Sequence, residues 1–340
     1  MSALQVGLAV AGGLVLAALV AHSTWTSRRN QPRQAEPDAA RVSPVMAEVL
    51  ADGADEAALL LPPTLEKKPL IDPLIDVITI IPLEFALAGD AIAQAMPATR
   101  RLGSKPYAIE GFNEQTRSWE TPMAGQRYDL LQAGIQLANR SGPLNEIEYS
   151  EYVVKTQAFA DVVGGTPEFP EMREEVARAR ELDTFASAHD AQLSMHLRAR
   201  NAAWSPGYLQ QHAARLGFVA GAMPGRMVLP ASVPGQPPVL GLVYDSLAAM
   251  ADDPAQSAIR EVCLSLDVAH VDRAEQPFVR MRDAVQRLAD AMDGEVIDDV
   301  GQPLTVHALD QIGAELEALY DTLDMRELSA GSVLARRLFS

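Results

Sequence analysis

An α+β architecture is what this sequence predicts: an N-terminal transmembrane helix, then two tandem domains, each a one-sided antiparallel sheet packed on helices. Three observations carry that expectation. "REVCLSLDV" (260–268) alternates Val262, Leu264, Leu266 and Val268 with Glu261, Cys263, Ser265 and Asp267, the period of a strand with one covered face. "FVRMRDAVQRLADAMDGEVIDDVGQPLTVHALDQIGAELEALYDTL" (278–323) reads as helix, stop, short strand, turn and helix. The same plan recurs upstream at constant spacing, which marks an internal repeat.

The elements follow in chain order. "ALQVGLAVAGGLVLAALVA" (3–21) carries no charge and as a helix would span roughly 28 Å, close to a bilayer's hydrocarbon core. Trp25, Arg28 and Arg29 lie after it, and residues 1–5 hold no Lys or Arg, so a retained anchor (residues 1–25) is expected rather than a cleaved signal peptide. The positive-inside bias then puts the N-terminus outside and the bulk of the chain in the cytoplasm. Residues 26–71 are rich in Pro, Ala and acidic residues without sustained periodicity, a disordered linker with an end-to-end distance of roughly 35 Å.

Residues 72–189 and 190–326 form the two copies. Each reads as strand, helix, strands, then helix, short strand, helix. In the earlier copy "VITIIPL", "DAIAQAM", "PYAIEGF", "TRSWETP" and "RYDLLQAGIQLA" take those places up to the long helix. In the later copy "AQLSMHLRA" is the first strand, and the first helix is capped by Ser205, opened by Pro206 and stopped at Gly217. Phe278, Met281, Val285, Leu288 and Met292 share one face of the later long helix. Tyr149, Tyr152, Thr156, Phe159 and Val163 sit at a constant offset of 129 from them, and Gly165 from Gly294, read as the left-handed stop. Leu309, Ile312, Leu316, Leu319 and Leu323 mark the last helix, capped by Thr305 with Leu304 and Leu309 as its staple. Residues 327–340 form a C-terminal tail in which Leu338 and Phe339 are expected to dock.

Composition narrows the function. The 340 residues carry a net charge of −17, and "TRR", "RAR" and "ARR" are short and separated, so nucleic acid is excluded as a partner. A single cysteine, Cys263, rules out an internal disulfide framework and a cysteine-based zinc site. Phosphate loops, dinucleotide fingerprints and metallopeptidase or serine-hydrolase motifs are absent, and the six histidines are scattered. Asp298-Asp299 precedes "VGQP" and reads as turn chemistry. No catalytic residue, metal, cofactor or small-molecule substrate is expected.

"LSLDV", the helix from Phe278, Asp293-Gly294, "IDD" (297–299) and Pro303-Leu304-Thr305 together resemble the C-terminal domain of ZipA-like cell-division proteins. The likeness extends through "SPGYLQQHAARLGFVAGAM" and "PVLGLVYD", covering roughly 190–325; the earlier copy is a diverged ZipA-like repeat. The resemblance implies a protein of the bacterial inner membrane, with a periplasmic N-terminus and cytoplasmic domains, that tethers FtsZ by binding its C-terminal tail on the open sheet face. It implies neither catalysis nor a cofactor. On that face the sequence places Met223, Leu240, Leu242, Tyr244, Ser246, Cys263 and Ser265, with Gln192 and Ser194 on the first strand and Tyr244 as the main anchor. Two other readings stand beside it. One is a division-associated scaffold with its sheet face occluded and a different protein partner, favoured by "DVITIIPL", apolar on both faces. The remoter one is an unrecognised enzyme.

The anchor is directly testable. A reporter fused after Ser340 should read out as cytoplasmic, and the protein should resist alkaline extraction from membranes. Mature soluble protein lacking its first twenty or so residues would overturn the anchor.

Overall fold

The computed structural model describes residues 32–34, 70–251, 253 and 257–340; the expected anchor at 3–21 and most of the linker lie outside them. Among the described residues no helix is long and apolar enough to cross a membrane. The chain divides into two compact units, 42–190 with 332–340, and 1–41 with 191–331.

The first unit runs β1 (Asp76–Ala88), α1 (Gly89–Ala95), β2 (Arg101–Leu102), β3 (Lys105–Asn113), β4 (Ser118–Glu120), β5 (Arg127–Gln136), a small β6 (Ala138–Asn139) and β7 (Gly142–Pro143) ladder, α2 (Glu146–Val163) and α3 (Met172–His189). Its sheet has the order β1-β5-β3-β2, antiparallel throughout, with β4 paired to the far end of β3. After α2 the chain runs beside β1, where Gly165 bridges Leu83 and Glu168 bridges Ile80.

Pairing decides which side chains share a face. Val77, Ile135 and Tyr107 form one cross-strand row, and Thr79, Ala133 and Ile109 the next. These rows lie under α2, whose Tyr152 hydroxyl bonds Thr79 Oγ1 at 2.6 Å and the Ala133 carbonyl at 2.9 Å. Burial pushes the Tyr152 phenol pKa far upward, so it stays a neutral donor. α2 begins with a full capping box between Asn145 and Glu148.

The second unit runs β8 (Gln192–Ala199), α4 (Pro206–Arg215), β9 (Val219–Ala220), β10 (Arg226–Leu229), β11 (Leu240–Val243), α5 (Ser246–Ala249), β12 (Glu261–Asp267), α6 (Pro277–Met292), β13 (Gly294–Ile297) and α7 (Val306–Met325). Its antiparallel sheet has the order β13-β8-β12-β11-β10-β9. The caps expected at Ser205 and Thr305 are formed, accepting from the Tyr208 and Ala308 amides. In both units the first strand lies between the last long strand and the short segment that follows the long helix.

All ten side chains expected on the matched helix faces are buried, Tyr149 to Val163 on α2 and Phe278 to Met292 on α6. The glycine at each helix end acts differently from the sequence expectation. The left-handed residues are Gly164 (φ 65°) and Asp293 (φ 57°), one position earlier. Gly165 and Gly294 are needed for close approach instead. A Cβ on Gly294 would lie 2.6 Å from Leu197 Cδ1 on β8, and one on Gly165 would lie 2.6 Å from Ile81 Cγ2 on β1.

Three other expectations are corrected. The sheet of the first unit is not one-sided: its second face is covered by the chain's own segments. Ile71 lies over Gly134, where a Cβ would come within 2.7 Å of Ile71 Cγ2, and the Leu70 amide donates to Glu110 Oε1 at 2.5 Å. The linker is ordered where it touches the domains. Arg33 pairs with Asp293 at 2.9 Å, and its backbone bonds Ala203 and Ser205 in the second unit. The tail 327–340 is divided at Gly331, whose amide bonds the Ala269 carbonyl at 2.9 Å in the second unit. Residues 332–340, with α8 (Val333–Leu338), return to the first unit, where Leu338 and Phe339 are buried.

The close approach predicts that Gly294→Ala and Gly165→Ala each cost about 1–3 kcal/mol, because Leu197 or Ile81 must move within packed surroundings. Urea denaturation of each variant checks this. Unchanged midpoints would mean that the helix ends have slack.

Candidate functional site

The sheet of the second unit buries one face under α6. Its other face is laid out by strand register. One row runs Val219, Val228, Gly241, Ser265 and Ser194 across β9, β10, β11, β12 and β8. The neighbouring row runs Arg226, Val243, Cys263, His196 and Ile297 across β10, β11, β12, β8 and β13.

The two halves of this face differ in chemistry. Across β9 to β12, Val219 (48% exposed), Val228 and Val243 (38%) rise beside the small Gly241, Ser265 and Cys263. Four strands at the usual spacing make this strip roughly 15 Å wide, room for an extended peptide crossing it. Across β12, β8 and β13 the face is polar. His196 Nδ1 lies 2.9 Å from Glu261 Oε1, and its Nε2 lies 2.9 Å from Asp299 Oδ1. Ser194 Oγ donates to the same Asp299 oxygen at 2.6 Å. Hydrogen bonding from Ser194, and then from His196, holds the Asp299 carboxyl below its ordinary value. Asp299 belongs to the turn after β13, built as expected: Asp298 Oδ1 accepts from the Val300 and Gln302 amides. That turn is thereby tied onto the sheet.

The sequence placed Cys263, Ser265, Gln192 and Ser194 on this face, and the structure puts them there. Burial, and then the charges of Asp299 and Glu261, push the Cys263 thiol up, which makes it a poor nucleophile. Leu240, Leu242 and Tyr244 are corrected. Leu242 stands opposite Leu264, so all three point to the helix side, and all three are buried. A shift of one residue exchanges the two faces of a strand. "PVLGLVYD" has no polar alternation to fix its phase, whereas β12 does. Val243 and Gly241 were missed for that reason, and reading β11 against the clear phase of β12 would have found them.

Met223 and Ser246 lie off the sheet face. Met223, 53% exposed, is in the turn between β9 and β10, and Ser246 opens α5. Met223 and Tyr244 do meet, with Phe218, Met227 and Gln210, around a cavity of about 500 Å³ at the helix-side edge of the sheet. There Gln210 Nε2 donates to the Tyr244 hydroxyl at 2.7 Å.

The second unit is thus an antiparallel α+β domain whose open sheet face is half apolar and half polar. Among the described residues no group of His, Cys, Asp and Glu is arranged to hold a metal ion. Residues 248–315 match the family described as ZipA, C-terminal FtsZ-binding domain. The stretch contains β12, α6, β13 and the first half of α7, and the resemblance to ZipA-like proteins is shown over it. The match is a likeness over this segment to a family whose description names FtsZ binding. It begins after Met223, Leu240, Leu242, Tyr244 and Ser246. No curated protein matches the chain.

Because Tyr244 is 6% exposed with its hydroxyl bonded, Tyr244→Asp is expected to cost about 3 kcal/mol or more of stability. Thermal or urea denaturation measures it. A stable, well-folded Tyr244→Asp variant would return the residue to the open face.

Proposed function

We propose that this is a division protein that holds the C-terminal tail of FtsZ on the open sheet face of its second unit. The tail lies along the apolar strip made by Val219, Val228 and Val243, over Gly241, Cys263 and Ser265. The observation that carries this reading is that β12, which supplies Cys263 and Ser265 to the strip, lies inside the matched stretch. An apolar strip bordered by Arg226 and the His196 cluster suits a short segment with apolar anchors and few polar contacts. Residues 3–21 supply the anchor to the inner membrane, with the N-terminus periplasmic and both units cytoplasmic, so the protein tethers FtsZ to the membrane.

We further read the first unit as a diverged ZipA-like copy. The support is the common placement of the first strand, the paired helix faces at an offset of 129, and the two glycines at the same close approach. Its second face carries Leu70, Ile71 and residues 332–340, so the FtsZ tail is assigned to the second unit. The covered face is also the observation that favours the scaffold reading for the first unit, with a partner other than FtsZ.

Val243→Asp puts a carboxylate on the strip without disturbing the covered face. It should lower the affinity for an FtsZ tail peptide at least tenfold, about 1.4 kcal/mol, in an anisotropy titration, with the melting temperature nearly unchanged. A folded Val243→Asp protein that binds the tail like the parent would remove this face from consideration. Failure of the parent to bind the tail at all would favour the scaffold.

A further inference from the structure

The second face of the first unit's sheet holds a segment that reaches it from far along the chain. β1 and β5 are in register from Asp76 opposite Gln136. Both of these side chains point away from α2, since their neighbours Val77 and Ile135 point toward it. Residues 332–340 meet them there. Arg337 Nη2 lies 2.6 Å from Asp76 Oδ1, its other terminal nitrogen bonds the Leu70 carbonyl, and its own carbonyl accepts from Gln136 Nε2 at 2.8 Å. The Arg140 amide donates to the Ser340 carbonyl at 3.1 Å, and the adjoining Leu338 and Phe339 are buried.

These contacts have the composition of peptide recognition. A charged pair forms at the buried Asp76, two large apolar side chains are sunk, and the Arg140 amide holds the segment's last carbonyl. Two features indicate that the seat is larger than its occupant. Gln136 Oε1 is fully buried and has no hydrogen-bond partner. A cavity of about 600 Å³ runs on from the Asp76–Arg337 pair over the same face, lined by Ile71, Pro106, Ala108 and Gly134. An element grown as part of the core would have closed both.

We propose that the first unit is a peptide-binding domain whose ligand is the chain's own segment 332–340, bound in cis and exchangeable for the same sequence supplied in trans. The recognition elements are Asp76 for the arginine, Gln136 and Arg140 for the backbone, and an apolar seat for Leu338 and Phe339. The site is closed in the intact chain by proximity. The segment is part of the same chain as its site, which gives an effective concentration on the order of millimolar. Free peptide at micromolar concentration does not compete with that.

The test uses a labelled peptide of residues 332–340, the intact protein, and a chain ending at Gly331. Saturable binding to the shortened chain is expected, with none to the intact protein at about 10 µM peptide. Asp76→Asn in the shortened chain and Arg337→Ala in the peptide should each weaken binding at least tenfold, and together little more than either alone, since both break one pair. A folded shortened chain that does not bind, or equal binding to the intact protein, overturns the proposal. Should the shortened chain not fold, the full chain is cut at a protease site inserted between Gly331 and Ser332. Exchange of the cut segment for labelled peptide during dialysis supports a bound ligand. A cut segment that cannot be exchanged without unfolding shows an integral part of the core, and overturns the proposal.

Discussion

Each unit depends on how closely its long helix can come to the first strand of its sheet. The backbone turns at the end of α2 and α6 and must run back beside β1 or β8, and a single Cβ at Gly165 or Gly294 would collide with the strand's own side chain. With hydrogen there, the helix end and the sheet lock together. Trp204 then fills the space beside Gly294, with its indole nitrogen bonded to the Met292 carbonyl at 2.8 Å. The ten side chains at matched positions on the two helices are buried because this spacing holds them on the sheet. The hydrophobic contribution follows from that burial, at about 1.5–3 kcal/mol for each large apolar side chain.

With one face fixed in this way, the other face becomes the variable part of the plan. In the second unit that face stays in contact with solvent and is built from valines, small residues and a carboxylate–histidine cluster. Such a surface is soluble by itself yet retains an apolar strip. In the first unit part of the corresponding face is covered by the chain's own segments. Asp76 is buried, and burial, opposed by Arg337, holds its carboxyl pKa above the ordinary value. Leaving such a buried acid without its arginine costs about 3–5 kcal/mol, so the segment carrying Arg337 and the strand carrying Asp76 are energetically linked across most of the chain. Lys105 is a second buried charge, held by the Gly142 carbonyl, Asn139 and Ser104, with its pKa lowered by burial. It pins the β6–β7 turn next to the start of α2.

The two faces show how one kind of sheet can leave a face open or have it partly covered. A free face requires alternation, because apolar side chains on both sides of a strand must both be covered. β12 alternates and has a free face. β1 is apolar on both sides through Ile78 and Ile80, which are half-buried on the face where Ile71 lies over Gly134 and Arg337 meets Asp76.

The sequence by itself determined much of what rests on local periodicity and N-terminal capping. The long helices, their buried faces, the caps at Ser205 and Thr305, the turn at Asp298 and the phase of β12 were legible because each is decided by neighbours within a few residues. The 129-residue offset between the two helix faces was legible because periodic faces and glycines can be matched without knowing their contacts. Tertiary structure decided the rest. The phase of β11 depends on which residue of β12 lies opposite it, and "LGLV" looks alike in either register. The role of Gly165 and Gly294 depends on Ile81 and Leu197, which are distant in sequence. Whether a sheet face is free depends on segments such as Leu70–Ile71 and 332–340, which reach it from elsewhere in the chain, and no pattern within the strands records where those segments end.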